Sequence, residues 1–225
     1  MLNNKTVLEW DVKTWSKALN YWEKNLNFSS ELKAIELGSR GGGLSIYLAS
    51  KGINVICSDL EGITEEVQSQ HKNFPFYKNI TYQKIDCTNI SYENSFDVII
   101  FKSILGGVGY NNRYDLQKQA INEMYKALKP GGVVLFAENL KASPLHQFFR
   151  KRFTRWGSSW RYISISEIEE LFTDYKLIKY SSTGFLATFG RNERQRSLFY
   201  YLDTLIFNHI TPKSWKYMVF GLASK

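Results

Sequence analysis

The sequence has little of what staples a chain or binds a metal: two cysteines, three histidines and four prolines in 225 residues. Cys57 and Cys87 lie far apart, and His71, His146 and His209 are scattered, so no spacing suits a zinc ligand set. A disulfide scaffold and a metalloenzyme are both disfavoured, and no metal is expected. No apolar run approaches the ~18 residues of a membrane span. The amino-terminal stretch MLNNKTVLEWDVKTW has neither the basic patch nor the apolar core of a secretory signal. The expectation is a soluble protein of a reducing compartment, the cytoplasm. There is no repeat, low-complexity segment or Pro/Gly/Ser-rich linker, and 44% of residues are hydrophobic, which suits one domain over 1–225.

Charge is what the sequence has in excess, and it is unevenly placed. Residues 1–140 carry 15 Lys+Arg against 15 Asp+Glu, whereas residues 141–225 carry 14 against 6 and therefore the whole net charge of +8. That last third also holds 18 of the 35 aromatic residues, so basic and aromatic side chains interleave there. The chain divides into an amino-terminal helical cap (1–30), a neutral ligand-binding core (31–140) and a basic, aromatic substrate-side region (141–225).

In the cap, DVKTWSKALNYWEKNL places Trp15, Ala18, Leu19, Trp22 and Leu26 on one helical face, with Asp11 as the expected cap. From residue 32 on, the apolar runs LKAIELG, INVICSD, ITYQKID, FDVIIFKS and VVLFAENL alternate with helical stretches. Such alternation predicts a parallel sheet covered on both faces. The tail reads as a helix SPLHQFFRKRF, a loop WGSSWRY, a helix SISEIEELF and two strands, YKLIKYSS and KYMVFGLAS. The long helical excursion RNERQRSLFYYLDTLIFNHI separates those strands, which suits an antiparallel finish to the sheet.

The sharpest local signal is Glu36-Leu-Gly38-Ser39-Arg40-Gly41-Gly42-Gly43 between the first strand and the first core helix. Glycines there allow a tight turn and close backbone approach to a ligand beside a helix amino terminus. A dinucleotide fingerprint registered on Gly38 requires glycine where this chain has Arg40, which disfavours nicotinamide and flavin dinucleotides. Asp59 and Asp86 close the second and third strands. With Glu36 they suit a ligand carrying adenosine and a positive centre better than a polyphosphate, which three carboxylates would repel. S-adenosylmethionine fits that description.

Five motifs in order, AIELGSRGGGLS, VICSDL, KIDCTNI, SFDVIIFKSILGGVG and ALKPGGVVLFAENL, give residues 32–140 a pattern that resembles the class I S-adenosylmethionine-dependent methyltransferases. The resemblance extends to their ubiquinone and menaquinone methyltransferase-like branch. It implies an α/β, Rossmann-like, mostly parallel sheet of seven strands with helices on both faces and an antiparallel last strand. It also implies that Gly38, Ser39, Arg40 and Gly41 line the methionine part of the cofactor and that Asp59 and Leu60 hold the ribose. Asp86 and Cys87 would flank adenine, while Phe101 and Lys102 would border the sulfonium and the acceptor. Arg40 either pairs with the methionine carboxylate or points to solvent. Glu36 and Asp59 could instead cap the following helices, and Lys102 could serve a structural ion pair.

Methyl transfer from a sulfonium needs positioning more than acid-base help, with a base only for a poorly nucleophilic acceptor. His146, just after the fifth strand, is the candidate base; the alternative is a helix-surface histidine without a catalytic task. Glu138 and Asn139 are candidates to orient the acceptor, and His71 and His209 are read as incidental. Arg150, Arg152, Trp156, Trp160 and Arg161 suit a phosphate- or carboxylate-bearing acceptor such as a nucleotide-linked or lipid-linked sugar, or else form a solvated basic face. The stripe of Leu198, Tyr201, Leu202, Leu205 and Ile206 within 191–210 suits a lid, a dimer contact or a peripheral membrane contact. The resulting expectation is O-methylation of a small anionic metabolite. Nucleic-acid methylation and a non-catalytic scaffold remain as alternatives.

Overall fold

Short apolar runs separated by helical repeats become strands and covering helices in the computed structural model, which describes residues 2–154, 157 and 159–225. The cap consists of α1 (Asn4–Leu8) and α2 (Val12–Asn25). The core runs β1 (Lys33–Leu37), α3 (Gly43–Ser50), β2 (Asn54–Asp59), α4 (Glu65–His71), β3 (Ile80–Lys84), β4 (Phe96–Lys102), α5 (Leu105–Val108), α6 (Tyr114–Ala127) and β5 (Leu128–Asn139). The tail adds α7 (Pro144–Phe153), α8 (Glu167–Leu171), β6 (Leu177–Thr183), α9 (Glu193–Leu202), a π-helical turn at Asp203–Phe207, α10 (Asn208–Ile210) and β7 (Met218–Ser224).

The seven strands form one sheet in the order β3-β2-β1-β4-β5-β7-β6. β1 to β5 pair in parallel, with Ile35 opposite both Ile56 and Ile99. β7 runs antiparallel between β5 and β6, placing Phe136 opposite Gly221 and Gly221 opposite Tyr180. The fold is thus the Rossmann-like, mostly parallel sheet expected from the motif order. Because β1 sits between β2 and β4, the crossovers diverge on either side of it, and a crevice opens at the carboxyl ends of β1 and β4. Successive strand residues feed two apolar layers. Val55, Val98, Ile100 and Leu135 pack with α2 and α3, while Ile35, Ile99, Phe101 and Phe136 pack with α6 and α8.

The amphipathic face of α2 is as read: Trp15, Ala18, Leu19 and Trp22 are buried, and the Trp22 indole N–H donates to the Gly221 carbonyl across β7 at 2.9 Å. The cap differs. Asp11 adopts a left-handed conformation (φ 47°), and its side chain makes no capping bond to the helix amino terminus. Its carboxylate is buried and receives the Tyr217 hydroxyl instead. Glu193 of α9 takes over the helix end, accepting the N–H groups of Asp11 at 2.8 Å and Val12 at 3.1 Å. The tail therefore closes the cap from 182 residues away, a pairing that no local sequence pattern encodes.

Candidate functional site

After β1 the backbone turns through three left-handed residues, Gly38 (φ 61°), Arg40 (φ 53°) and Gly42 (φ 67°). A side chain on Gly38 would come within 2.5 Å of Ile104, and one on Gly42 within 2.4 Å of His71, so both positions need glycine on conformation and on space. Arg40 occupies a conformation that L-residues adopt at a cost of ~1–2 kcal/mol, which is why glycine is the usual occupant of such a turn.

Three side chains hold this loop. Glu36 accepts from the Ser45 N–H (2.7 Å), the Ser45 hydroxyl (2.6 Å) and the Leu44 N–H (3.3 Å), tying the start of α3 to β1. Burial raises the Glu36 pKa to about 7. Asp59 accepts the Arg40 N–H at 2.9 Å. His71 lies 3.1 Å from the Gly41 carbonyl through Nε2 and 3.1 Å from the Tyr82 hydroxyl through Nδ1. A carbonyl only accepts, so Nε2 carries the proton and Nδ1 accepts from Tyr82. His71, read from sequence as incidental, is thus a positioning residue for the glycine loop. Its spacing gave no sign of this, because α4 delivers it through packing.

The cap crosses above the loop. A side chain on Gly43 would meet the Val7 carbonyl at 2.1 Å, so α1 rests directly on the start of α3. Lys102, at the end of β4, donates to the Leu8 carbonyl at 3.1 Å, with its ammonium 5.5 Å from the Trp10 ring and 5.0 Å from the Trp15 ring. Burial lowers its pKa, against the opposing pull of Glu9 and Glu36. The Arg40 guanidinium is largely exposed and 3.8 Å from Glu9. Of the two readings of Arg40, this geometry is closer to the solvent-facing one.

Below the cap lies a cleft of about 640 Å³. The glycine-loop residues Gly38, Ser39 and Arg40 line it with Glu9, Glu36 and Lys102, and the same cleft takes in Asn139, Arg150, Trp160, Tyr162, Thr188 and Arg196. Asn139 is held by its bond to the Ser103 hydroxyl (2.6 Å). The Arg150 guanidinium lies 4.1 Å from the Tyr162 ring centroid and donates to the Leu140 carbonyl at 2.5 Å. Trp160 packs where Gly106 and Gly107 leave room on α5. The left-handed glycine turn leaves room for a ligand beside the start of α3.

Several expected site residues lie elsewhere. His146 is buried, with Nε2 2.8 Å from the Phe185 carbonyl and Nδ1 2.6 Å from the Ser143 hydroxyl. Rings of Phe185, Phe189 and Tyr217 surround it, and burial pushes its pKa down to about 4. Both nitrogens are engaged in the core, so it has no lone pair to offer as a base. Phe101 is fully buried between strands and helices, 6.4 Å from the Phe136 ring, and does not reach the cleft. Glu138 accepts from the Leu105 and Asn139 N–H groups (both 2.8 Å), ties the start of α5 to β5, and is raised to about 7 by burial. Arg161 pairs with Glu167 and Gln117 beside the cleft, and Arg152 points to solvent from α7. Trp156 and its neighbour Arg155 lie outside the described residues.

Asp59, Leu60, Asp86 and Cys87 sit at the ends of β2 and β3, beside but not lining the main cleft. Asp86 accepts the Thr88 N–H (2.8 Å) and hydroxyl (2.7 Å), and burial lifts the Cys87 thiol to about 12, against a nucleophilic role. Gly41 contributes its carbonyl to His71 rather than a cleft wall. Among the described residues, no group of three or more His, Cys, Asp or Glu side chains is placed to hold a metal ion. No helix among them is long and apolar enough to cross a membrane.

Comparison with known proteins agrees with this geometry. Residues 35–136 match the family model described as a methyltransferase domain. No curated protein sequence matches the chain. Among solved structures, a phosphoethanolamine N-methyltransferase 2 of Haemonchus contortus, bound to phosphomonomethylethanolamine and S-adenosylhomocysteine, aligns with TM-score 0.66 at 17% identity. That alignment covers 94% of this chain and 52% of the other, so the chain spans about half the length of that relative. The MccD protein aligns at 0.61 with 13% identity, covering 92% and 96% of the two chains. The [4+2]-cyclase SpnF aligns at 0.62 with 13% identity, covering 93% and 80%. Residues 35–136 thus resemble a methyltransferase domain in sequence, and the chain shares its fold with these solved structures.

Proposed function

We propose that the chain methylates an oxygen of a small anionic acceptor. The observation that carries the reading is the continuity of one cleft from the glycine loop to two guanidiniums, Arg150 and Arg196. S-adenosylmethionine supplies an electrophilic methyl carbon when bound at the glycine-loop end. The residues of the chain then bind, orient and exclude water. Trp10 and Lys102 roof the junction, Asn139 offers its amide, and Trp160 and Tyr162 provide flat walls for a ring or sugar. Arg196 is held by Glu193 at 2.7 Å and its guanidinium lies 5.8 Å from the Trp10 ring, which fixes its fork at the acceptor end.

The titratable side chains lining the cleft are already engaged, Glu9 with Arg40, Glu36 with the start of α3 and Lys102 with the Leu8 carbonyl, which favours an acceptor atom that is nucleophilic as it binds. An oxygen ionised at neutral pH meets that requirement, and its charge is what two guanidiniums would select. The phosphate-bearing small molecule in the Haemonchus contortus structure supports an anionic acceptor as a class. A labelled-methyl transfer survey over nucleotide-linked sugars, lipid-linked sugars, small phosphates and RNA tests the reading. We expect transfer to a small anion, and an Arg196→Gln chain with KM raised about ten-fold at little-changed kcat, the worth of one charged hydrogen bond. Equal KM in the two chains, or transfer confined to RNA or to uncharged acceptors, overturns it.

A further inference from the structure

Ten of the thirteen most exposed large hydrophobic side chains among the described residues fall in two tail segments, 145–153 and 198–215. On α7 they include Leu145, Phe148 (63% exposed) and Phe153 (72%); on α9 and beyond, Leu198, Leu205 (74%) and Ile210 (70%). Isolated exposed hydrophobics need no explanation, but a concentration of this kind marks a surface with a partner.

The two segments are built as one unit. Phe149 of α7 packs its ring 5.3 Å from Phe189, and Phe185 stacks on Phe207 of the π-helical turn at 5.5 Å, so both segments rest on the stretch 185–189. Asp203 fixes that stretch by accepting the N–H groups of Phe185, Leu186 and Ala187. Arg150 of α7, Thr154 just after it, Thr188 of the stretch 185–189 and Arg196 of α9 line the cleft beside this surface.

The charge around these side chains has one sign. Lys151, Arg152, Arg191, Arg194 and Lys213 are exposed. The only acidic residues in 144–154 and 191–216 are Glu193 and Asp203, and both are turned inward onto backbone N–H groups. We propose that this surface docks the protein on an anionic lipid bilayer, with the exposed Phe, Leu and Ile side chains entering the headgroup and acyl boundary and the Lys and Arg side chains meeting lipid phosphates. A two-fold contact with a second copy would set the same cations against one another with no carboxylate to answer them. A nucleic acid would stack only on the aromatic rings of this surface and leave the aliphatic side chains of Leu198, Leu205 and Ile210 in water, whereas a bilayer buries both.

The test is co-sedimentation of the full chain with phosphatidylcholine vesicles, with and without phosphatidylglycerol, at low and moderate salt. Binding is expected only with phosphatidylglycerol and should weaken as salt rises. Leu205→Glu/Ile210→Glu and, separately, Arg152→Glu/Arg194→Glu should each weaken partition about ten-fold or more, with thermal unfolding and S-adenosylmethionine affinity unchanged. Absence of vesicle binding overturns the proposal. So does a dimer in sedimentation velocity that Leu205→Glu/Ile210→Glu converts to monomer, or salt-sensitive RNA binding in place of vesicle binding. Vesicle binding and methyl transfer are separate readouts: a chain that methylates a soluble anion without binding vesicles refutes this proposal and leaves the acceptor reading standing, and the converse result does the reverse.

Discussion

In the body of the protein, polar side chains converge on the backbone of one glycine loop; in the tail they are spread over struts that tie the tail to itself and to the cap. Glu36, Asp59 and His71 each end on a backbone group of the glycine loop or of the helix it opens. In the tail, His146 joins the Ser143 hydroxyl to the Phe185 carbonyl, Arg161 spans Gln117 and Glu167, Glu193 holds the start of α2, and Arg150 and Arg196 line the cleft. The contrast teaches that residue type is constrained differently in the two regions. A left-handed turn beside a strand end admits few residues, whereas a strut between side chains can be built from many pairs.

The largest expected effect probes the tail. If His146 is a strut, His146→Ala removes two hydrogen bonds and the ring contacts with Phe185, Phe189 and Tyr217, and should lower stability by ~3 kcal/mol. Chemical denaturation reads that loss, while turnover measured below the new melting range should stay within a few-fold of the parent. A collapse of kcat with stability intact would return the imidazole to catalysis and erase the contrast between the regions.

The second effect probes the body. Gly42→Ala places a Cβ 2.4 Å from the His71 ring in a left-handed backbone, so the loop must open or His71 must move off the Gly41 carbonyl. Calorimetric affinity for S-adenosylmethionine should fall roughly 30-fold, the combined worth of the backbone strain and the steric conflict. An unchanged affinity would mean that the turn is not what presents the cofactor.

These two residues also mark what the sequence makes legible. The alternation of strands and helices, the glycine turn and the strand-end acids follow from period, composition and motif order, since parallel strands and left-handed turns impose residue types directly. The position of His146 after β5 says which strand end it follows and not which way the ring points. Ser143 at the amino end of α7 turns the ring inward to Phe185, 39 residues on. Phe101 and Glu138 lie away from the cleft for a related reason. Alternation decides the facing of each strand residue, and one step along β4 separates the buried Phe101 from the cleft-lining Lys102. His71, Trp10 and Arg196 carried no signal at all, because each reaches the site through the packing of an element distant in sequence.

The smallest expected effect joins the two regions at Asp11, where cap and tail meet. Its carboxylate is buried against Tyr217, one of its oxygens has no hydrogen-bond partner, and burial raises its pKa from 3.8 to about 7. Between pH 4 and pH 7 the folded chain therefore holds a proton at Asp11 that the unfolded chain has released, and stability from this group falls as pH rises through about 7. From pH 6 to pH 8 that loss amounts to about 1.4 kcal/mol. Asp11→Asn keeps an acceptor for the Tyr217 hydroxyl and removes the titration. The stability difference between Asp11→Asn and the parent should grow by that amount across the interval, while the contributions of Glu36, Glu138 and His146 cancel between the two chains. A difference that stays flat with pH would show that Asp11 is ionised at little cost. The cap and tail would then be held by a charge that the body tolerates, and the division between the two regions would not extend to their junction.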